Sequence, residues 1–435
     1  MISVQNHLRR LSGSNIDLFL LVPILLISCG AFRKTPTVEW PKDDEIVIEG
    51  KEEKTETSTG VESKPKNDSK KAKKQKYEII NFKGEDFQVP IHDHSFNIAV
   101  ILPFHSDASN SSRDSRRANL MLEYYQGMLL AVPSIEKLQS TFNIKYYDSD
   151  NDTAKLRQIL RMPEFENVDL ILGPTDEGQV KIAAYFARQR KIPLLSPIST
   201  MEEVWSNNPY LFFANPSERM QAKQFLKYFN REHKDEKLLI VRDGKGFDKT
   251  FGAALVQECI EQNINFEKIA YSGRIKWNNH LGTDKTVVLH TGTSKTSMTY
   301  AVTGLLSKAD KVTLIGGDEW LNFSSVDYSQ LEKLNVTYLS VNKAQIPNKM
   351  AQDLYSSYIT IYNGVPSWFV YKGYDQLLLS CELLDAFGSY FPLFIEGKSI
   401  SYANSDFNFQ KFGNCFQNEY LELFKLQERE LIRVD

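Results

Sequence analysis

Cysteine is scarce in this chain: four occur in 435 residues, at positions 29, 259, 381 and 415. That is too few for a disulfide framework, and the spacing suits no metal-binding module. Cys259 and Cys381 fall on apolar helical faces and read as small buried hydrophobes, and a Cys381–Cys415 bridge stays open. Histidine gives no better metal site. His92 and His94 have strand-like spacing with His105 downstream, but no third ligand lies near, and His233, His280 and His290 stand alone. No metal and no cofactor is expected. Charge of one sign is missing too, since the formal net charge is -3, which argues against a nucleic-acid partner. Gly292-Thr293-Ser294-Lys295 lacks the upstream glycine of a phosphate-binding loop, and no nucleophile elbow occurs, so an enzyme is not expected. Long hydrophobic runs are also absent. The one compact run, Leu18 to Ile27, is about half of the roughly 20 residues that a membrane-crossing helix needs. What remains is 42% hydrophobic and 25% charged, an ordinary globular composition with material for two or three domains.

The amino terminus reads as an address. His7, Arg9 and Arg10 precede the apolar run, which meets Ser28-Cys29-Gly30, the order of a secretory signal peptide over residues 1–28. Leu26-Ile27-Ser28-Cys29 resembles a bacterial lipobox. That resemblance implies a lipidated Cys29 as the first mature residue, and Gly30 after it implies sorting to the outer membrane, facing the periplasm. Several acyl chains would anchor stably where one would be marginal. Residues 29–92 then read as a flexible charged linker. Lys51 to Lys76 contains no aromatic residue and almost nothing apolar to offset the entropy of ordering the backbone. As a coil the roughly 60 residues from Gly30 to Pro90 span about 40–45 Å, and about 200 Å if extended.

From Phe96 onward strand and helix alternate. Asn97 to Phe104 is a buried strand, Ala118 to Glu136 a helix that Pro133 bends or ends, and Phe142 to Tyr147 the next strand. Strands at 168–172, 193–196 and 210–213 follow, with helices between, and Asn215-Pro216 is read as N-cap and first position of the next helix. A second block repeats the alternation with strands at 237–241, 266–270, 286–290 and 312–316. Two such blocks argue for an α/β fold of two doubly wound parallel sheets, with ligand-facing loops at the carboxyl ends of the strands. Lobe 1 is assigned 93–215 plus about 345–395, and lobe 2 216–344 plus about 396–435. Hinges are placed near 214–218 and 340–347.

The succession NIAVILPF, YYQGMLLAV, IKYYDSDND, DLILGP, IPLLSPIS and YLFFANPS resembles type I periplasmic binding proteins, the leucine/isoleucine/valine-receptor kind. KLLIVRDGKGFDKTFGAAL, TVVLHTGTS, VTLIGGDEW and the late helix WFVYKGYDQLLLSCELLDAFG continue the match, which spans about residues 96–435. The resemblance implies two lobes closing on a ligand. Within that family, Leu102-Pro103-Phe104, Tyr125 to Met128 and Tyr147-Asp148-Ser149 look like envelope lipoproteins of the Bacteroidetes kind. They also look like the carboxyl-terminal domain of outer-membrane activators of penicillin-binding proteins.

Carried over from amino-acid binders, the resemblance implies Thr175, Asp176, Ser196, Ser199 and Thr200 on the side that takes a ligand carboxylate. Asp318 or Glu319 would take its ammonium group. Hydroxyls and helix amino ends favour an anion and a cleft carboxylate favours a cation. Capping and turn formation is the competing role for Ser199 and Thr200. Carboxylates at Asp176 and Glu177 would repel an amino-acid carboxylate. That departure favours a membrane-tethered, non-enzymatic module that binds an envelope protein or ligand and regulates cell-wall synthesis or joins an outer-membrane complex. The alternative is a solute-binding protein that delivers an amino acid or short peptide to a transporter. The polar segment Ser106 to Arg117 is read as a lid, a docking loop or a plain solvated loop.

Overall fold

A computed structural model describes residues 76–105, 112–200, 207–271, 273–323, 327–342, 348–428 and 430–434. Cys29, the leader and most of the expected linker lie outside these residues, as do 106–111 of the expected loop and 343–347 of one expected hinge.

The folded part begins earlier than its composition suggests. β1 (Tyr77–Phe82) and β2 (Glu85–Pro90) form an antiparallel hairpin, turned at Lys83-Gly84, where both residues have positive φ. The expected linker therefore ends at about residue 76, not 92. Apolar residues two apart carry the difference: Phe82 and Phe87 set their rings edge-on against Phe387 at 5.0 and 5.2 Å, and Val89 is fully buried. Lys83 adds an ion pair to Glu382 at 2.6 Å.

The first lobe follows. β3 (Ser95–Leu102), α1 (Ser112–Ile135), β4 (Thr141–Asp148), α2 (Thr153–Ile159), β5 (Leu170–Leu172), α3 (Glu177–Arg190), β6 (Leu194–Ser196) and β7 (Leu211–Phe213) build a parallel sheet in the order β7-β6-β5-β3-β4. α1 starts at Ser112, so helix occupies the second half of the expected loop, and it runs through Pro133. β3 shows why the sheet is buried on both faces: Ile98, Val100 and Leu102 enter one core, Ala99 and Ile101 the other.

The chain then crosses to the second lobe. α4 (Glu218–Glu232) is capped by Ser217, whose side chain accepts the N–H of Met220. The cap is thus two residues later than Asn215, because Asn215 is spent elsewhere. β8 (Lys237–Arg242), α5 (Ala253–Glu261), β9 (Phe266–Ala270), β10 (Thr286–His290), α6 (Lys295–Leu305), β11 (Val312–Gly317), α7 (Tyr328–Lys333) and β12 (Thr337–Ser340) give a second parallel sheet, β9-β8-β10-β11-β12.

The chain returns to lobe 1 for α8 (Lys349–Tyr362) and α9 (Trp368–Phe387), then β13 (Ser399–Ser401), β14 (Asp406–Phe412) and β15 (Cys415–Asn418), which extend the first sheet through a β15–β7 pairing. Residues 399–418 therefore belong to lobe 1, contrary to the expected boundary at 396. Only β16 (Glu422–Gln427) and β17 (Glu430–Arg433) complete the second sheet. The lobes are joined by three crossings, near 214–217, 341–348 and 419–421; hinges were expected at the first two, and the third falls at 419–421 rather than at about 396. Cys381 lies in the core on one face of the first sheet and Cys415 in the core on the other, both as free thiols, so no bridge joins them.

α9 is buried along nearly all its length and meets α1 backbone to backbone. A Cβ on Gly127 would stand 1.9 Å from the carbonyl oxygen of Val370, and one on Gly373 1.9 Å from that of Tyr124. Glycine at both points is what lets the helices touch. That contact places the first turns of α9 beside the crossings.

Candidate functional site

A cleft of about 830 Å³ opens between the two sheets, beside the crossings. One wall comes from lobe 1 and the first crossing: Ile198 and Thr200 after β6, Asn215 and Pro216, then Pro366, Trp368, Tyr371 and Lys372 at the start of α9. The other comes from lobe 2: Phe247, Gly317, Asp318 and Glu319 after β11, and Leu339 to Asn342 after β12, with Glu218 and Gln221 of α4 at the join. These are the carboxyl ends of parallel strands, where β-to-α loops converge. Another hollow of about 760 Å³ opens at the far end of lobe 2, lined by Lys237 and Glu267 among others. Those two are already paired at 2.6 Å, so they offer it no idle charge.

Lobe 2 presents carboxylates. Asp318 and Glu319 sit side by side in the turn that ends β11. Asp318 accepts the hydroxyl of Ser340, yet the surrounding protein holds its carboxyl above the usual range. Glu319 is raised by the same crowding and then by the charge of Asp318, although it is open to solvent in the cleft. Among the described residues neither meets a lysine, arginine or histidine within 4.0 Å. Trp320 anchors the turn from behind, fully buried, with its indole N–H donating to the Gly292 carbonyl at 3.3 Å and its ring edge-on to His290.

Lobe 1 presents an ammonium and aromatic rings. Lys372 is 4% exposed. Its Nζ donates to Oδ1 of Asn215 at 2.5 Å and stands 5.3 Å from the ring centre of Trp368. Burial draws it down to about 8, against the opposing pull of Asp375 one turn along α9. Asp375, pushed up to about 7 by burial, accepts the backbone N–H groups of Ala403, Asn404 and Ser405 at 2.9–3.0 Å.

Of the residues expected at a ligand site, Thr200, Asp318 and Glu319 line this cleft. Thr200 donates its hydroxyl to Glu218 at 3.5 Å. Thr175, Asp176, Ser196 and Ser199 are not among the lining residues. Asp176 caps α3 by accepting the N–H of Gly178 at 2.9 Å, and its neighbour Glu177 pairs with Lys181 at 3.2 Å. Ser196 is buried and donates to the Ser199 carbonyl at 3.3 Å. Asp176 and Glu177, from which repulsion was expected, are engaged in a helix cap and a surface pair and do not line this cleft. Lys372, Trp368, Tyr371 and Asn215 were missed by sequence reasoning. The available signal was a lysine and an aspartate three apart inside an otherwise apolar helix, VYKGYDQLLL.

Comparison with known proteins agrees with this architecture. The periplasmic binding protein family model matches residues 95–273. A protein assigned to branched-chain amino acid ABC transport in Rhodospirillum rubrum superposes with a TM-score of 0.58 at 12% identity, covering 78% of this chain and 100% of its own. An ABC transporter substrate-binding protein from Desulfitobacterium hafniense gives 0.50 at 18% identity, with the same coverage of both chains. No curated protein matches the chain. The fold is that of type I periplasmic binding proteins.

Proposed function

We propose that the protein is a non-enzymatic solute-binding module whose cleft takes a small polar ligand bearing an ammonium group, an amino acid or short peptide, for delivery to a membrane transporter. One observation carries this reading: Asp318 and Glu319 stand together on the cleft wall without a protein cation among the described residues. Adjacent carboxylates repel, and a ligand cation between them would remove that repulsion. The family match and the likeness to the Rhodospirillum rubrum protein support solute binding over a module that only docks another protein.

The envelope setting is a separate proposal. It rests on the lipobox-like Leu26 to Cys29, with Cys29 lipidated and the protein held at the outer membrane. Among the described residues no helix is long and apolar enough to cross a membrane. Kinship with activators of penicillin-binding proteins belongs to the same proposal, and mass spectrometry of the mature amino terminus tests the lipid.

The cleft reading is tested by thermal-shift screening of the protein against amino acids and short peptides. A true ligand at about 100 times its Kd adds about 2.7 kcal/mol of stability. The gain should vanish in Asp318→Asn/Glu319→Gln. Silence across the whole panel would overturn the reading.

A further inference from the structure

The solute-binding reading accounts for the carboxylate wall but leaves the opposite wall without a task. Lys372 is buried, yet its neighbour on α9 does not take up its charge, because Asp375 is committed to three backbone N–H groups. Among the described residues the ammonium makes one hydrogen bond, to Asn215. An ammonium has three N–H donors, and a buried cation with donors to spare is costly. Its surroundings open on the cleft, where Trp368 supplies a ring face.

Asn215 is no ordinary acceptor. It lies in the first crossing, between the end of β7 and the cap of α4, and its Nδ2 donates to the Ile198 carbonyl at 3.1 Å, beyond β6. Through Asn215, then, Lys372 fastens a crossing between lobes to the body of lobe 1. A group that holds a hinge and also faces the ligand space can exchange one partner for the other.

We propose that Lys372 couples cleft occupancy to lobe movement: its ammonium holds Asn215 in the empty protein and passes to a carboxylate of the solute when the cleft fills. The inference rests on the solute-binding reading and adds to it the chemistry of the ligand's second end. A singly charged carboxylate fits better than a phosphate, because Glu218, Asp318 and Glu319 line the same cleft and would repel a dianion. Movement follows because the solute then interacts differently with the two arrangements of the hinge.

Two measurements on the full-length protein test this. In the first, protein labelled with ¹⁵N-lysine is titrated by NMR with sodium acetate, methylammonium chloride and sodium phosphate as probes. The Lys372 midpoint, near 8 in the empty protein, should move up by about one unit with acetate, less with phosphate and not with methylammonium. Asp375 on its own helix, and Glu218, Asp318 and Glu319 in the cleft, are the charged groups whose substitution controls for indirect shifts. In the second, spin labels on the two lobes report their separation without any ligand. Lys372→Met and Asn215→Ala should each broaden the distribution, whereas Lys372→Arg should keep it narrow.

An unmoved Lys372 midpoint at saturating acetate, or an unchanged distribution in Lys372→Met, would overturn the coupling. Its failure is distinguishable from failure of the wider reading. If an amino acid stabilises Lys372→Met as strongly as the parent protein, the cleft still binds solute and the coupling falls. If no amino acid or peptide stabilises the parent protein while Lys372 still answers to acetate, the solute reading falls and the carboxylate contact stands.

Discussion

The two walls of the cleft handle charge differently. On the lobe 1 side, Asp375 has its full set of backbone donors and Lys372 has an acceptor in Asn215, all supported by a helix locked against its neighbour. On the lobe 2 side, Asp318 and Glu319 sit on a short turn at the end of a strand, and their repulsion has no protein cation among the described residues to relieve it. Rigid support belongs to the lobe 1 wall, and adjacent like charges to the other. On the proposed solute-binding reading, lobe 1 sets the ligand's place while lobe 2 supplies the charge whose repulsion binding relieves.

The comparison breaks most severely if the rigid wall is loosened. Gly373→Ala forces a methyl into the Tyr124 carbonyl, where the Cβ would sit at 1.9 Å, next in sequence to Lys372. Backbone cannot give way as a flexible side chain can, so α1 and α9 must part. A loss of about 3 kcal/mol or more is expected in urea unfolding, with Gly127→Ala similar. A loss below about 1 kcal/mol would show that the helix contact is not what supports this wall.

Lobe 2 should instead show its weakness in acid. His290 is fully buried behind the carboxylate turn, with Nδ1 accepting the N–H of Gly292 at 3.1 Å and Nε2 without a partner. Burial draws its pKa down to about 4, against the pull of Asp243. Because the folded value lies below the unfolded one near 6.5, the stabilising contribution is complete above 6.5 and is lost as pH falls through about 4. That amounts to about 3 kcal/mol at most. His290→Leu should flatten stability over this window, and an equally steep acid limb in the variant would show that other groups cause it.

A smaller effect is expected at the first crossing. Ser217 caps α4 and also donates to Gln417 at 3.3 Å, beside the third crossing. Ser217→Ala should cost about 1–2 kcal/mol in thermal unfolding and leave solute affinity within about threefold. A large change in affinity with little change in stability would instead assign Ser217 to the binding wall.

The readable parts of this fold are those written in local periodicity. Continuous apolar runs as short as NIAVILPF and KLLIV, set between helical segments, read as strands buried on both faces, so both sheets were legible. The hairpin at 77–90 was not, because Ile80, Phe82, Phe87 and Val89 are too few to stand out against a charged run. The return of 399–418 to lobe 1 depends on β15 finding β7 some 200 residues upstream, a pairing that no local pattern encodes. The site divides in the same way. Asp318 and Glu319 follow a strand and could be located by counting strand ends, whereas Asp176 occupies an equivalent place and caps a helix. Lys372 sat within a helix that reads as core, and only the three-dimensional path of the crossing brings Asn215 to it.

The smallest expected effect bears most directly on the contrast between the walls. Asp318→Asn keeps an acceptor for the Ser340 hydroxyl while removing one of two adjacent charges. Asp318 is partly exposed, so solvent screens much of the repulsion, and the empty protein should gain no more than about 1 kcal/mol. The sign matters more than the size. A carboxylate with a structural task costs stability when removed, whereas one held ready for a ligand cation costs binding and returns a little stability. The expected result is a slightly higher Tm together with weaker solute binding in the same variant. A lower Tm would make Asp318 a structural anchor of the Ser340 turn, and the contrast between a rigidly supported wall and a self-repelling one would then fail at the residue that should show it best.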